Sequence, residues 1–258
     1  MLHLALAQLD IYLGEPAINL DTARTLVATA AARGANLIVL PELWSTGYDL
    51  GRAAALADVP GEGMYADLAA LAREQGIAII GSTLAHHPDR PTNHATCYDA
   101  TGQLLASYDK IHLFGLMHED AYLQAGTRQG LFDAPWGRSA LAICYDLRFP
   151  ELFRSYAVQG AAIIFVPAEW PTPRIEHWRT LVRARAIENQ CFMVAVNRVG
   201  RDHTNQFGGH SLVVDPWGTV LVEGDDTAAL LFAQLDLATV EEVRSQMTTL
   251  RDRRPELY

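Results

Sequence analysis

The segment that most constrains this chain is Ser139-Ala140-Leu141-Ala142-Ile143-Cys144-Tyr145-Asp146-Leu147-Arg148-Phe149-Pro150-Glu151-Leu152. Its opening small and apolar residues have the composition of a buried strand, and Cys144 stands where that strand stops. Asp146 and Pro150 mark a short loop that opens a helix, with Leu152, Phe153, Tyr156 and Ala157 at helical spacing. A cysteine on such a turn lies near backbone N–H groups and the positive end of a helix dipole. Both favour the thiolate, which is the nucleophilic form. Taken alone, Cys144 could equally be a small core side chain, as most free cysteines are. The rest of the chain decides between the two.

The chain has 258 residues, half of them hydrophobic, enough to bury a sizeable core in one domain spanning 1–258. Its 20 basic and 30 acidic residues give a net charge of −10, and the basic ones are scattered. That pattern offers no footprint for a nucleic acid or an anionic membrane surface. The N-terminal run Met1-Leu2-His3-Leu4-Ala5-Leu6-Ala7-Gln8 lacks a basic leader and a cleavage site, so it is expected to be a strand and not a signal peptide. No apolar run reaches the roughly 18–20 residues of a membrane helix. The cysteines Cys97, Cys144 and Cys191 lie far apart without a C-x-x-C pair. Such usage points to a reducing, cytoplasmic setting and to neither disulfides nor a zinc site.

Along the chain, strands are expected over residues 2–9, 36–40, 77–83, 93–99, 103–108, 131–134, 139–143, 161–166, 191–197, 209–215, 219–223 and 230–236. Helices are expected over 16–33, with Ile18, Leu20, Leu26 and Val27 facing inward, and over 64–75, 150–159, 176–189 and 239–248. Residues 44–60 and 115–130 are expected to be loops. Alternating strands and helices with added hairpins define an α/β sandwich with mixed sheets. The two halves share a strand–helix–strand–hairpin rhythm.

Chemistry-bearing residues follow strand ends. Glu42 follows Leu37–Leu40, Lys110 follows the 93–108 hairpin, and Cys144 follows Leu141–Ile143. Sites in α/β sheets gather beyond the carboxyl ends of strands, so these groups can converge. Individually, Glu42 reads as a solvated cap and Lys110 as a surface lysine. His112 and His118 could join Cys144 at a metal, but no short ligand pair supports it, and no metal or cofactor is expected.

Here the sequence resembles the nitrilase, or carbon–nitrogen hydrolase, superfamily. The matching segments are Leu40-Pro41-Glu42-Leu43, Tyr108-Asp109-Lys110-Ile111-His112-Leu113-Phe114, Ile143 through Glu151, Ala184-Arg185-Ala186-Ile187-Glu188-Asn189-Gln190, and Gly208-Gly209-His210-Ser211 with Asp215-Pro216-Trp217-Gly218. They span nearly the whole chain in the family's order. The resemblance implies a four-layer α-β-β-α sandwich with two mixed β-sheets, commonly paired as a homodimer. It implies that Glu42 is the general base, that Lys110 and the Tyr145 N–H stabilise an oxyanion, and that Cys144 attacks an amide carbonyl to form a thioester. A second glutamate usually assists; Glu119 is the candidate, with Asp120 beside it. The logic is general: a thiol needs a base, a tetrahedral oxyanion needs fixed donors, and departing ammonia needs a proton. His112 is then structural, His118 edges the pocket, and Asp146 caps the helix or pairs with Arg148. Cys97 and Cys191 belong to the core.

The segment Val166-Pro167-Ala168-Glu169-Trp170-Pro171-Thr172-Pro173-Arg174 with His177-Trp178 resembles the bacterial omega-amidase branch, which cleaves the terminal amide of 2-oxoglutaramate. Such a small-molecule substrate carries a carboxylate. Arg174 could clamp it, with Trp170 and Tyr48 as walls, or Arg174 could serve a salt bridge or dimer contact. Trp178 is expected in the core or an interface. The rivals are an N-carbamoyl-amino-acid amidohydrolase, an aliphatic amidase or a nitrilase of the same chemistry, and a non-catalytic binding or scaffold protein.

Overall fold

The structure is a computed structural model and describes residues 1–257. In chain order its elements are β1 (Leu2–Gln8), α1 (Pro16–Ala32), β2 (Leu37–Val39), α2 (Ala53–Leu56), α3 (Gly63–Gln75), β3 (Ala78–Ala85), β4 (Thr92–Tyr98), β5 (Leu104–Asp109), α4 (Glu119–Tyr122), β6 (Gly130–Ala134), β7 (Gly137–Leu141), α5 (Pro150–Val158), β8 (Ile163–Ala168), α6 (Ile175–Asn189), β9 (Phe192–Asn197), β10 (Val199–Arg201), β11 (Gln206–Gly208), β12 (Leu212–Val214), β13 (Val220–Glu223), β14 (Ala229–Leu235) and α7 (Ala238–Gln246).

These strands build two six-stranded sheets, ordered β14-β1-β2-β3-β4-β5 and β13-β12-β9-β8-β7-β6. Each has three parallel strands at its centre, β1-β2-β3 and β7-β8-β9, flanked by antiparallel neighbours. Both sheets are therefore mixed, and the shared rhythm of the two halves is this repeated arrangement. β1 shows why the layers form. Leu4 and Leu6 join the core between the sheets, while Ala5 and Ala7 join the one beneath α1 and α3. On the other side, Phe153 of α5 and Trp178, Val182 and Ala186 of α6 belong to the inter-sheet core's continuation. The result is the expected α-β-β-α sandwich.

The structure departs from the sequence reading in places. Ile18 points to solvent, and the buried face of α1 is Asn19, Leu20, Ala23, Val27 and Ala30. Asn19 is buried because its side chain serves the Tyr12 N–H, the Tyr12 carbonyl and the Ser45 carbonyl. In an alanine-rich helix the apolar face is poorly marked, and a buried amide fully bonded costs little. The segment after β9 is a small hairpin, β10–β11, and the 115–130 loop contains the single turn α4. Trp178 is wholly buried, its indole N–H on the His210 carbonyl at 2.7 Å. Cys97 and Cys191 are also fully buried. No helix among the described residues is long and apolar enough to cross a membrane.

Phe165, on β8, is fully enclosed in the core. Phe165→Ala should cost about 3–5 kcal/mol of stability, measured as a lower denaturation midpoint at an unchanged slope.

Candidate active site

Four elements deliver the site to one rim of the sandwich. Glu42 follows β2, Lys110 follows β5, Glu119 opens α4, and Cys144 begins a tight helical turn, Cys144–Arg148, after β7. Both strand exits are sharply bent. Leu43 has φ of +41° and Cys144 φ of +43°, conformations that cost a residue with a Cβ about 1–3 kcal/mol each. Asp146 holds the cysteine turn. One of its oxygens accepts from the Ile143 N–H (2.8 Å) and the Tyr108 hydroxyl (2.7 Å), the other from the His112 N–H (3.1 Å), and His112 Nδ1 lies 2.7 Å from it. Asp146 therefore neither serves the following helix nor pairs with Arg148, as the sequence had led one to expect. Its position inside the turn makes the closer backbone and ring donors its partners. His112 is structural, stacked on Phe149 at 3.7 Å.

Lys110 is completely buried, and its ammonium sits between two buried carboxylates. Nζ donates to Glu42 Oε1 at 2.7 Å and to Glu119 at 2.8 and 2.7 Å. Glu42 Oε1 also accepts from the Asn93 amide at 2.8 Å and the Tyr48 hydroxyl at 2.9 Å. The other oxygen, Oε2, accepts from the backbone N–H of Glu169 at 2.8 Å. Glu119 further receives the Phe114 N–H at 2.6 Å. Asp120 is exposed and lies outside this cluster. Tyr48, expected as a pocket wall, is instead part of the ionic cluster itself. His118 lines a separate cleft together with Tyr48, Tyr122 and Asn205.

The electrostatics set the resting protonation. Burial pulls the Lys110 pKa down, but Glu119 and Glu42 outweigh it and leave the ammonium firmly charged. Burial pushes the Glu119 carboxyl up against the pull of Lys110. Burial also pushes the Cys144 thiol well above its ordinary value, and Glu42 adds to this while Lys110 opposes it. This corrects the sequence expectation of a favoured thiolate: in this buried, carboxylate-lined position, desolvation outweighs the turn's backbone dipoles. The thiol lies within hydrogen-bonding reach of Glu42, a carboxylate placed where it can accept that proton.

A small pocket of about 10 Å³, room for about one water, adjoins Cys144 and is lined by Phe114, Tyr145, Arg148, Trp170, Pro171 and Arg174. The Arg148 guanidinium lies 4.6 Å from the Trp170 ring centre and that of Arg174 5.4 Å from the Phe114 ring centre. The Trp170 indole N–H bonds the Arg174 carbonyl at 2.8 Å. Among the described residues neither guanidinium meets a carboxylate; Arg148 reaches only His177 Nδ1, at 3.4 Å. Arg148 and Glu169 were not singled out from the sequence for the site. The available signal for Glu169 was an acid closing an apolar run, Val166-Pro167-Ala168. It is wholly buried, and burial pushes its carboxyl up while the adjacent Arg198 guanidinium pulls it down.

The family model for carbon–nitrogen hydrolase matches residues 3–245. A 2-oxoglutaramate amidase of Bacillus subtilis is 42% identical over 253 residues, covering 97% of each chain. An omega-amidase of Mus musculus is 34% identical over 268 residues, covering 99% of this chain and 96% of that one. Among solved structures, a CN-hydrolase superfamily protein from Xanthomonas campestris, with an arsenic adduct in its active site, superposes with a TM-score of 0.92. It is 30% identical and covers 98% of this chain and 97% of that one. The chain belongs to the carbon–nitrogen hydrolase family. It is an amidohydrolase by descent as well as by the groups it assembles.

With Glu42 as the carboxylate in hydrogen-bonding reach of the Cys144 thiol, Glu42→Gln should slow alkylation of Cys144 by iodoacetamide at pH 7 by about 100-fold or more. Peptide mapping reads the rate at each cysteine. In that variant the rate should recover only as pH rises past the raised thiol pKa, and Cys97 and Cys191 should stay slow throughout.

Proposed function

We propose that the protein hydrolyses the terminal amide of a small carboxylate-bearing substrate of the 2-oxoglutaramate type. The observation that carries this reading is a nucleophile–base–lysine cluster opening onto a pocket with two guanidinium groups that lack carboxylate partners.

The steps follow from the geometry. Glu42 takes the Cys144 proton as Sγ attacks the amide carbon. The carbonyl oxygen becomes an oxyanion facing the Lys110 ammonium and the Tyr145 N–H. As the tetrahedral intermediate collapses, the carbon–nitrogen bond breaks. Protonated Glu42 returns its proton to the leaving nitrogen, and ammonia departs from a thioester on Cys144. Glu42 then deprotonates a water that attacks the thioester, and the acid leaves with Cys144 restored as a thiol. Glu119 holds the Lys110 charge in place throughout. Arg174 and Arg148 supply a cationic end to the pocket for the substrate carboxylate, with Trp170 as its aromatic wall. Both arginines are half-exposed, so they can swing outward to enlarge a pocket that now holds about a single water.

A homodimer, in a cytoplasmic setting, belongs to the same reading. Ile187, Trp217 and Leu221 leave apolar surface exposed around α6 and β13. Sedimentation should give about twice the chain mass.

Purified protein should release ammonia from 2-oxoglutaramate, and Cys144→Ala should abolish it. Arg174→Ala should raise KM for that substrate about 10–100-fold, the worth of a charge-assisted bond of about 1.5–3 kcal/mol, with KM for an uncharged aliphatic amide little changed. Faster turnover of N-carbamoyl amino acids, uncharged amides or nitriles would replace the substrate and retain the chemistry. No turnover of any of them would favour a binding protein.

A further inference from the structure

Behind Glu42 lies a buried ion pair that the steps above do not use. Glu169 Oε2 accepts from Arg198 Nη1 at 2.8 Å, both side chains being completely enclosed. Arg198 is moored in turn by Asp10 (3.0 Å), the Ile11 carbonyl (2.9 Å) and the Val199 carbonyl (3.2 Å), with its guanidinium 4.3 Å from the centre of the Phe207 ring. Asp10 follows β1 in the first sheet. Glu169 follows β8 and Arg198 follows β9 in the second. Arg198, bonded to Glu169 on one side and to Asp10 and the Ile11 carbonyl on the other, therefore ties the two sheets together at the rim where the site lies.

Two features argue against a simple stabilising role. A buried ion pair is on average no more stabilising than apolar residues of its size. In addition, Glu169 Oε1 is buried without any hydrogen-bond partner, an expensive omission for a carboxylate. What the pair does accomplish is geometric. The Arg198 N–H bonds the Ala168 carbonyl at 3.2 Å, and the Asn197 side chain grips residue 170 at its N–H (2.6 Å) and its carbonyl (3.1 Å). The last residue of β9, Asn197, and the next, Arg198, thus hold residues 168–170 by their main chain, and the Glu169–Arg198 pair holds them by a side chain. The N–H so fixed is the one that donates to Glu42 Oε2. Glu42 Oε1 already has three donors in Lys110, Asn93 and Tyr48, more than its lone pairs. Oε2 is the oxygen with acceptor capacity left for the thiol proton. Its orientation depends on the Glu169 N–H.

We propose that Glu169, anchored by Arg198, is a positioning residue that aims the free lone pair of Glu42 Oε2 at the Cys144 thiol. The proposal rests on the reading of Glu42 as the base and Cys144 as the nucleophile. A displacement of about 1 Å in a reacting pair can cost about 100-fold in rate. The groups that face Glu169 electrostatically are Arg198, Glu42 and Asp202.

The test compares Glu169→Ala, Glu169→Gln and Glu169→Asp with wild type and with Glu42→Gln, using iodoacetamide alkylation of Cys144, which needs no substrate, alongside kcat and KM on 2-oxoglutaramate. Glu169→Ala should slow alkylation and kcat together by about 10–100-fold and leave KM nearly unchanged. Glu169→Gln, which can still accept from Arg198, should recover most of both. If the alanine variant does not fold, Glu169→Asp still decides: its shorter side chain cannot keep both the Arg198 bond and the turn, so alkylation should slow. Wild-type alkylation in the Ala or Asp variant, with Glu42→Gln slow, overturns the positioning role alone. A loss seen only in melting temperature, or a Gln variant no better than Ala, does the same. Wild-type alkylation in Glu42→Gln instead overturns the base assignment on which the proposal stands.

Discussion

The site depends on one buried cation. Lys110 has no access to solvent, and an ammonium in that position is tolerable only because two carboxylates meet it at 2.7–2.8 Å. Each carboxylate is buried for the same reason. Removing Lys110 would leave two uncompensated carboxylates in the interior, whereas removing either glutamate would leave a one-to-one pair with half of the ammonium's partners. The cluster also imposes the state of its neighbour. Cys144 shares a desolvated volume with a net negative group of side chains, and burial beside Glu42 holds its thiol well above the ordinary value.

This arrangement differs from activating a cysteine with a histidine or a bare helix terminus. There the environment makes the thiolate before the substrate arrives. In the mechanism proposed for this protein the base acts during attack, and the same proton is handed to the leaving nitrogen. Lys110, bonded by both oxygens of Glu119, is on that reading a donor that does not have to reorganise toward the oxyanion. The bent backbone at Leu43 and Cys144 is part of the same construction. The Asp146 network and the donors around Glu42 hold conformations that side-chain-bearing residues seldom adopt.

Much of this was legible in the sequence because it is local. Glu42, Lys110 and Cys144 each follow a strand signal within a residue or two, and strand ends of one topology share a rim. The layered fold follows from strands buried on both faces, such as β1. What escaped the sequence depends on pairings between distant residues. The Glu169 N–H meets Glu42 across 127 positions, and Arg198 meets Asp10 across 188. Tyr48 is in the cluster and not on its wall because an irregular loop folds inward, which no periodicity reports. The direction of the Cys144 shift was missed for a related reason. A turn and a helix dipole are visible in the sequence, whereas complete burial beside Glu42 is a property of the assembled sandwich.

The central claim is that Cys144 rests as a thiol and is ionised only by transfer to Glu42. Thiolate absorbance near 240 nm, taken as the difference between wild type and Cys144→Ala across the pH range, measures this directly. The account predicts no thiolate signal at neutral pH and a rise only above the ordinary cysteine value of about 8.5. A thiolate step below pH 7 would contradict it, because the nucleophile would then be formed before any base is needed.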